Sequence, residues 1–415
     1  MTLVRAADSA VTIMNSSGAK VYNTVNKLFA LSYRAPVGIM IYGGADICGV
    51  PWEVIIKEFR ASLGSNKLER LDDYCERFCQ FIDGGHFFSD EVQKTHVRNS
   101  AVLFLANMLY VPIETAIHAV FEAAGEITRS QTISIITREI RALRATMNEL
   151  PFGEGFSHQD LAAVTQTYSD EVSQAVDAVF EDLPLGARNI KQIHDIYALF
   201  ATKQFFTPSM SGIVVAGYGE REYFPSVISY EYDGVVLGKP KWRTGDRVAA
   251  GPEMRGAVVP FAQREMVNLF MEGVDPAYRD TVQGALASFV EGLPDAIADG
   301  AGITGDARRA LARRISVSAN QLLGQFRGEL EKYSYQAHIE PIIDAVSALP
   351  KDELGAMAES LVSLTSFKRR VTLDAETVGG AIDVAVISKG DGLIWLKRKH
   401  YFDPASNPQY FARFQ

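Results

Sequence analysis

The stretch Pro36-Val-Gly-Ile-Met-Ile-Tyr42, followed by Gly43-Gly44-Ala-Asp46, decides the fold class. Its continuous apolar run predicts a short buried strand, and the glycine pair ends that strand. Pro51 then opens a helix over 52–63, because its ring-fixed φ suits the first helical turn. The residues before this stretch also favour strands, so the chain begins with strands that a helix follows.

Two long blocks of helical periodicity interrupt the strands. The clearest helix begins at Ser157, whose hydroxyl we expect to cap it three residues ahead of Asp160. An apolar stripe then recurs at three- and four-residue steps through Leu161, Val164, Tyr168, Val172, Val176 and Phe180. Such a stripe is typical of packing surface, and it predicts no ligand site.

Strands return after the first helical block and again at the end of the chain. A buried strand is predicted over 212–217 and a second over 226–232, with Asp233-Gly234 as the tight turn that follows. The chain closes with a helix over 351–367 and a hairpin over 382–396. This order lacks the regular βαβ alternation of a doubly wound sheet and favours antiparallel sheets with helices on their outer faces.

Composition limits the class of protein. The 415 residues predict two or three domains, or one domain with large insertions. The 50 acidic and 41 basic residues give a net charge of −9, which argues against a nucleic-acid-binding surface. Three cysteines are too few for a disulfide framework and favour a reducing compartment. The apolar run over 101–111 is too short to span a membrane, so we expect a soluble, cytoplasmic protein with no nucleic-acid or membrane partner.

The sequence lacks the common cofactor motifs. It has no phosphate-binding loop, and Gly217-Tyr-Gly219 lacks the third glycine of a dinucleotide fingerprint. The usual metalloprotease and α/β-hydrolase motifs do not occur. Cys75 and Cys79 lie four residues apart on one face of a predicted helix, a spacing that favours buried small side chains over a zinc site. We expect neither a metal nor an organic cofactor.

Three runs near the N-terminus, in this order, carry a family resemblance. They are Ala6-Ala7-Asp8-Ser9, Thr24-Val-Asn-Lys27, and Gly38-Ile-Met followed by Gly43-Gly44-Ala-Asp46. They resemble the β-type subunits of the proteasome and the peptidase subunit of the related bacterial ATP-dependent protease, both N-terminal-nucleophile hydrolases. Later runs are similar to further parts of that family. The run from Gly212 to Tyr218 with Asp233-Gly234 looks like its central hairpin, and Val378-Gly379-Gly380 looks like its terminal Gly-Gly turn.

The resemblance implies amide hydrolysis by an N-terminal Thr, Ser or Cys whose own α-amine acts as the base. By similarity, Asp8 and Lys27 form the charged pair beside the nucleophile, and the Gly43 N–H donates to the oxyanion. Thr2 becomes the N-terminal residue if Met1 is removed. Taken singly, each of these residues also has a structural interpretation: a turn aspartate, a solvent-facing lysine and a glycine turn.

The sequence departs from the family pattern in two places. The family has a serine and an aspartate near its terminal Gly-Gly, whereas Val378 stands at the serine position and the acid is either Asp374 or Glu376. In the family a full strand and a turn separate the nucleophile from the aspartate. Only 3–7 separate Thr2 from Asp8, and these residues favour a continuous strand because none is a typical turn residue.

Two explanations of the second departure stay open. The true chain starts upstream, with a first strand and its own nucleophile, or this copy has lost catalysis and kept the fold.

We therefore predict an α+β fold, a four-layer αββα sandwich of the Ntn-hydrolase type with two large helical insertions. The core comprises 1–66, 187–275 and 346–401, the insertions are 67–186 and 276–345, and 402–415 form a C-terminal tail. The predicted function is that of a proteasome-like, threonine-type peptidase or amidohydrolase acting on peptide or amide bonds. The alternative is a catalytically inactive proteasome-like protein that serves as a binding or assembly module. The family's ring assemblies imply a homo-oligomer, and an ATPase is the partner that the resemblance suggests.

Overall fold

A computed structural model describes residues 2–15, 18–22, 25–84, 86–252, 254, 256–372, 379–400 and 402–412. The fold is α+β, with more helix than strand. The chain divides into two compact units. Unit 1 consists of Met1–Thr12, Ala250–Val386 and Trp395–Gln415, and unit 2 consists of Ile13–Ala249 and Ile387–Ile394.

The strands pair into antiparallel sheets. They are β1 (Thr2–Ala7), β2 (Val11–Asn15), β3 (Gly18–Tyr22), β4 (Leu28–Ala30), β5 (Val37–Gly43), β6 (Asp46–Ile47), β7 (Val50–Pro51), β8 (Ser211–Gly217), β9 (Ser226–Val236), β10 (Lys239–Ala249), β11 (Asp383–Ser388) and β12 (Gly392–Lys397). The largest sheet has the order β10-β9-β8-β5-β4, and a three-stranded sheet has the order β1-β11-β12. β2 pairs with β3, and β6 with β7.

Helices form most of the remaining chain. They are α1 (Trp52–Leu63), α2 (Leu71–Asp83), α3 (Asp90–Leu105), α4 (Val111–Ala124), α5 (Arg129–Glu149), α6 (His158–Thr167), α7 (Ser169–Val179), α8 (Ala187–Thr202), α9 (Glu265–Glu272), α10 (Pro276–Gly300), α11 (Gly305–Ser334), α12 (Glu340–Ala348), α13 (Lys351–Val371) and α14 (Pro408–Ala412). Single π-helical turns join α3 to α4 and α11 to α12.

The five-stranded sheet of unit 2 is covered on one face by α1 and α2. Successive strand residues point to opposite faces, so Val37, Ile39 and Ile41 share one face of β5. These three pack in one core with buried residues of α1 and α2, among them Trp52 and Phe78. The predicted buried strand and the helix that Pro51 opens are therefore confirmed.

The opposite face of this sheet receives the tip of the C-terminal hairpin. A Cβ atom on Gly38 would lie 3.0 Å from the Cδ1 atoms of both Ile387 and Leu393. These three residues all belong to unit 2. The close approach explains why glycine, with no side chain, stands at this position of β5.

Helices α3 to α8 of unit 2 surround a second, larger core. It includes Phe104 of α3, Ile136 of α5, Val172 of α7 and Phe200 of α8, all almost fully buried. The capping interaction predicted between Ser157 and Asp160 is present, because the Ser157 N–H and hydroxyl both donate to the Asp160 carboxylate.

The single long helix predicted from Ser157 is instead two helices. α6 ends and α7 begins at Tyr168, where the backbone leaves the helical region with φ −113° and ψ 23°. The apolar stripe nevertheless faces the same core on both sides of this break. Its buried members are Val164, Tyr168, Val172 and Phe180.

The predicted turn at Asp233-Gly234 is wrong. Both residues lie inside β9, and the hairpin turn is Leu237-Gly238, with φ values of 55° and 70°. Positive φ at both central residues is typical of a two-residue hairpin turn. Leucine tolerates this conformation because tertiary contacts hold the turn: the Leu237 N–H donates to the Tyr168 hydroxyl at 2.9 Å, and the Gly238 N–H donates to Gln93 at 2.8 Å.

In unit 1, α13 packs on β1. A Cβ atom on Gly355 of α13 would lie 2.3 Å from the Leu396 side chain, so the helix and sheet are in close contact at this glycine. Two further long helices of unit 1, α10 and α11, pack against each other.

One helical stretch, Asp90–Ala124, is long and apolar enough to cross a membrane by length and composition. It is longer than the apolar run over 101–111, which by itself is too short to span a membrane. Leu105, Leu109 and Ile113 within it are buried in the helical core of unit 2. A core helix of a soluble protein has these same properties, so the stretch is compatible with a soluble protein.

Candidate functional site

Asp8 follows β1 in unit 1, where its carboxylate accepts two backbone hydrogen bonds. The Oδ2 atom accepts from the N–H of Ala10 at 3.1 Å and from the N–H of Gly379 at 3.0 Å. The Ser9 N–H donates to the Gly379 carbonyl at 3.0 Å, and the Ser9 hydroxyl donates to the Ala381 carbonyl. The Ala-Asp-Ser run and the Gly379-Gly380 run, far apart in sequence, are therefore neighbours within unit 1.

Thr2 does not lie beside Asp8. β1 is a continuous strand from Thr2 to Ala7, as its lack of turn residues predicts. Six residues at about 3.3 Å each separate the Cα atoms of Thr2 and Asp8 by about 20 Å. Three further residues of the family comparison, Asp374, Glu376 and Val378, lie outside the described part of the chain.

Lys27 directly precedes β4, and Gly43 ends the neighbouring strand β5 of unit 2. The Lys27 carbonyl accepts from the Ile41 N–H at 2.8 Å, which extends the β4–β5 pairing by one residue beyond Leu28 opposite Met40. Residues directly opposite each other share a face of the sheet, and so do residues two apart along a strand. The half-buried Lys27 therefore lies opposite Ile41, two residues from the exposed Gly43 at the end of β5.

Gly43 ends β5 in a conformation that favours glycine. Its φ is +69°, and a Cβ atom there would lie 2.4 Å from the Met210 carbonyl oxygen. The next residue, Gly44, donates its N–H to that same oxygen at 3.1 Å. Glycine therefore stands here because the Met210 carbonyl oxygen occupies the place of a side chain, while the exposed strand end leaves the Gly43 backbone open to solvent.

A buried ion pair, which the sequence did not predict, lies in the same unit. Lys241 Nζ donates to the Phe200 and Phe205 carbonyls at 2.8 and 2.5 Å and contacts the Asp233 carboxylate at 3.3 Å. An ammonium has three donors, so these three acceptors satisfy it completely. Both side chains are almost fully buried, with 3% of Lys241 and 6% of Asp233 exposed. The sequence offered one indication of this pair, an acidic and a basic residue on neighbouring strands. The prediction of a turn at Asp233-Gly234 took Asp233 out of the strand and so hid the pairing.

Asp233 also binds the loop that follows α8. Its Oδ1 atom accepts from the Thr207 hydroxyl at 2.5 Å, and its Oδ2 atom accepts from the Thr207 N–H at 3.2 Å. Burial lowers the pKa of Lys241, and the nearby Asp233 carboxylate opposes that effect. The contact with Asp233 and the hydrogen bonds to two carbonyls therefore offset part of the cost of burying the Lys241 ammonium.

Two other reactive side chains are close to this ion pair. A Cβ atom on Gly234 would lie 2.0 Å from His96 Nε2, so the imidazole packs directly on the glycine. Burial lowers the pKa of His96, which favours the neutral imidazole. Cys48 accepts a hydrogen bond from the Val235 N–H, and burial raises the pKa of its thiol to about 12. A protonated thiol is a poor nucleophile, so Cys48 is not a candidate for that role.

Cys75 and Cys79 are buried in α2, as predicted. Burial raises the pKa of the Cys75 thiol to about 12 and that of Cys79 to about 11. The Cys79 Sγ atom lies 3.3 Å from the Tyr232 hydroxyl. Because a thiol must lose its proton to bind zinc tightly, both residues behave as small core side chains.

Comparisons with protein families, with curated proteins and with solved structures found no match to this chain. The function must therefore be inferred from the residues themselves. Within unit 2, the arrangement offers a lysine paired across the sheet two residues from an exposed glycine backbone at a strand end. A cation and an N–H donor are the groups that stabilise developing negative charge on oxygen.

Proposed function

We propose that this chain is a proteasome-like N-terminal-nucleophile hydrolase that cleaves peptide or amide bonds. The observation that carries the proposal is the position of Lys27 opposite Ile41, two residues from the exposed Gly43 at the end of β5 in unit 2. Gly43 donates its N–H to the oxyanion of the tetrahedral intermediate. The ammonium of Lys27 lowers the pKa of the nucleophile's α-amine, so that a larger fraction of this amine is free to act as the base.

The proposed reaction is acyl transfer to the nucleophile followed by hydrolysis. The hydroxyl or thiol attacks the carbonyl carbon while the α-amine takes its proton, and the amine then returns that proton to the leaving nitrogen. Water attacks the resulting ester or thioester and releases the acid. The resemblance gives Asp8 and Asp374 supporting roles. Two backbone N–H donors already orient the Asp8 carboxylate in unit 1.

The architecture that we propose with this function is a four-layer αββα sandwich. Its support within unit 2 is a sheet with α1 and α2 on one face and the hairpin tip of 387–394 on the other. Its support within unit 1 is a second sheet on which α13 packs. We further propose a cytoplasmic homo-oligomer, with an ATPase as a partner, on the resemblance alone.

The alternative is a catalytically inactive protein of the same fold that serves as a binding or assembly module. One observation bears on it: Thr2, the threonine that the resemblance makes the candidate nucleophile, lies at the far end of β1 from Asp8. A nucleophile at that position would be too distant to use the Asp8 carboxylate.

Hydrolysis of fluorogenic peptides by the full-length protein, purified from its own source, tests the two functions. Lys27→Ala is compared with Lys57→Ala, a matched change at an exposed lysine of α1 that pairs only with Glu53 among the described contacts. We expect the Lys27 change to lower the rate by about 100-fold or more, the scale of losing one electrostatic catalytic group. The Lys57 change should leave the rate unchanged.

A Lys27→Ala protein that stays folded and keeps its rate would contradict the mechanism. Absence of hydrolysis in the unmodified protein, with its intact mass and N-terminal sequence determined, would favour the binding module.

A further inference from the structure

A continuous series of hydrogen bonds joins the buried Lys241–Asp233 pair to the corner formed by Gly43 and Gly44. Asp233 accepts from both the hydroxyl and the N–H of Thr207. The Thr207 carbonyl accepts from the Met210 N–H at 3.1 Å. The Met210 carbonyl then accepts from the Gly44 N–H at 3.1 Å. All of these residues belong to unit 2.

The Met210 carbonyl is the contact that determines where the glycine corner lies. Its oxygen is close enough to the Gly43 Cα that a Cβ atom would come within 2.4 Å. It also receives the Gly44 hydrogen bond. On the neighbouring residue, the Ser211 hydroxyl donates to the Asp46 carbonyl at 2.8 Å. A shift of the segment from Thr207 to Ser211 would therefore shift the Gly43-Gly44 backbone with it.

Lys241 holds the other end of this segment. Two of its three acceptors are the Phe200 and Phe205 carbonyls, at the last turn of α8 and in the loop that follows. The third is Asp233, on the strand beside its own. One ammonium thus fixes both the start of the loop and the carboxylate that binds Thr207. A buried charge is costly, and here it connects three backbone segments rather than adding apolar packing.

We infer that Lys241 is a positioning residue for the Gly43-Gly44 backbone, acting through Asp233 and Thr207. The inference rests on the proposed function in that Gly43 is the oxyanion donor of the proposed hydrolase. Lys241 touches neither substrate nor reacting atoms in this arrangement. It sets the direction of the donor, and donor direction matters most in the transition state. Loss of the network should therefore lower kcat with little change in KM.

Amide hydrogen exchange at Gly44 tests this inference without relying on catalysis. The full-length protein is labelled with 15N-glycine, and exchange is followed by NMR. Thr207→Val removes the hydroxyl bonds to Asp233 and to the Ser209 hydroxyl at nearly constant volume. We expect Gly44 exchange to become at least about tenfold faster, because a hydrogen bond to a charged acceptor contributes about 1.4 kcal/mol or more. Thr207→Ser keeps the hydroxyl and should restore the slow rate.

Lys203→Met is the matched control for Lys241→Met. Lys203 is also buried, and its ammonium donates to two carbonyls outside this network, those of Asn148 and Leu150. We expect Lys241→Met to accelerate Gly44 exchange more than tenfold beyond Lys203→Met. If Lys241→Met fails to fold, Thr207→Val decides the question.

The two proposals fail in different measurements. Gly44 exchange at the unmodified rate in Thr207→Val, or equal acceleration in the Lys203 and Lys241 variants, would overturn the inference about Lys241. Peptide hydrolysis by the unmodified protein decides the proposed function independently. In an active preparation, Thr207→Val should lower kcat about tenfold at constant KM, and an unchanged kcat would also overturn the positioning role.

Discussion

The helices α3 to α8 of unit 2 surround a continuous core, whereas α10 and α11 of unit 1 leave most of their apolar side chains on the surface. In the first group, residues such as Phe104, Ile136 and Phe200 are almost fully buried. In α10 and α11, the buried residues are Pro294, Ala298 and Leu323. Their exposed apolar residues are Tyr278, Val282, Phe289, Ile297, Val317, Leu322, Phe326, Leu330 and Tyr333.

The difference shows that helical periodicity and burial are separate properties. Most helices in proteins owe their stability to packing of an apolar face rather than to intrinsic propensity. α10 and α11 pack on each other, and ion pairs of Arg308 with Asp295 and Asp299 join the end of α10 to the start of α11. Among the described residues, α10 and α11 are therefore supported mainly by each other, by α9 and by surface charge, while α3 and α7 have neighbours on several sides.

The largest expected effect is the contrast between two phenylalanine truncations. Phe104 is 3% exposed, and its ring stacks on that of Phe200 with 4.1 Å between the ring centroids. Its replacement by Ala would therefore leave a cavity in the core. We expect Phe104→Ala to lower the free energy of unfolding by about 4 kcal/mol. Phe326 is 49% exposed, so Phe326→Ala should cost less than about 1 kcal/mol. Urea denaturation measures both. Equal losses would mean that the α11 surface is covered in solution.

A smaller effect concerns the pH dependence of unfolding. Burial lowers the pKa of His96 in α3 below its ordinary value of 6.5, while Asp233 raises it and Lys241 lowers it. Between the folded and unfolded pKa values, the unfolded chain therefore binds more protons. The free energy of unfolding should fall as the pH decreases through 6.5, by at most about 1.4 kcal/mol per pH unit for one proton, and level off below the folded pKa.

His96→Gln should remove this contribution from the pH profile measured by urea denaturation between pH 5 and 8. Burial also lowers the pKa of His194 in α8, so part of the pH dependence of unfolding should persist in the His96→Gln variant. A slope below pH 6.5 that is unchanged in His96→Gln would show that His96 is not the titrating group.

The smallest expected effect compares the N-terminal caps of the two helical regions. Ser157 donates to the Asp160 carboxylate and begins α6 in a capping box, so Ser157→Ala should lower the free energy of unfolding by about 1 kcal/mol. The Thr304 side chain makes no capping hydrogen bond at the start of α11. Thr304→Ala should therefore change stability by less than about 0.5 kcal/mol. Thermal unfolding of both variants measures the difference, and a larger loss at Thr304 would contradict it.

The candidate site could be predicted from sequence only in part. Gly43 at the end of a buried strand was predictable because the apolar run and the glycine pair are adjacent. The contact between Asp8 and Gly379 joins residues 371 positions apart, and no local pattern in the sequence predicts it. The Lys241–Asp233 pair was missed because Asp233-Gly234 has the composition of a turn. Its role depends on the Thr207 loop and on α8, which no local pattern connects to it.

The sequence by itself determined the local features of this protein. Pro51 and Gly64 bound α1, Ser157 and Asp160 cap α6, and the run of apolar residues before Gly43 forms a buried strand, because each depends on backbone geometry within a few residues. Only the tertiary structure decided where the β9–β10 hairpin turns. It also decided which helices are buried and which charges pair, because these depend on surfaces that distant segments supply. Leu237 shows the reason most directly: the hydrogen bonds that this turn donates to Tyr168 and Gln93 hold it in a conformation that its own sequence does not favour.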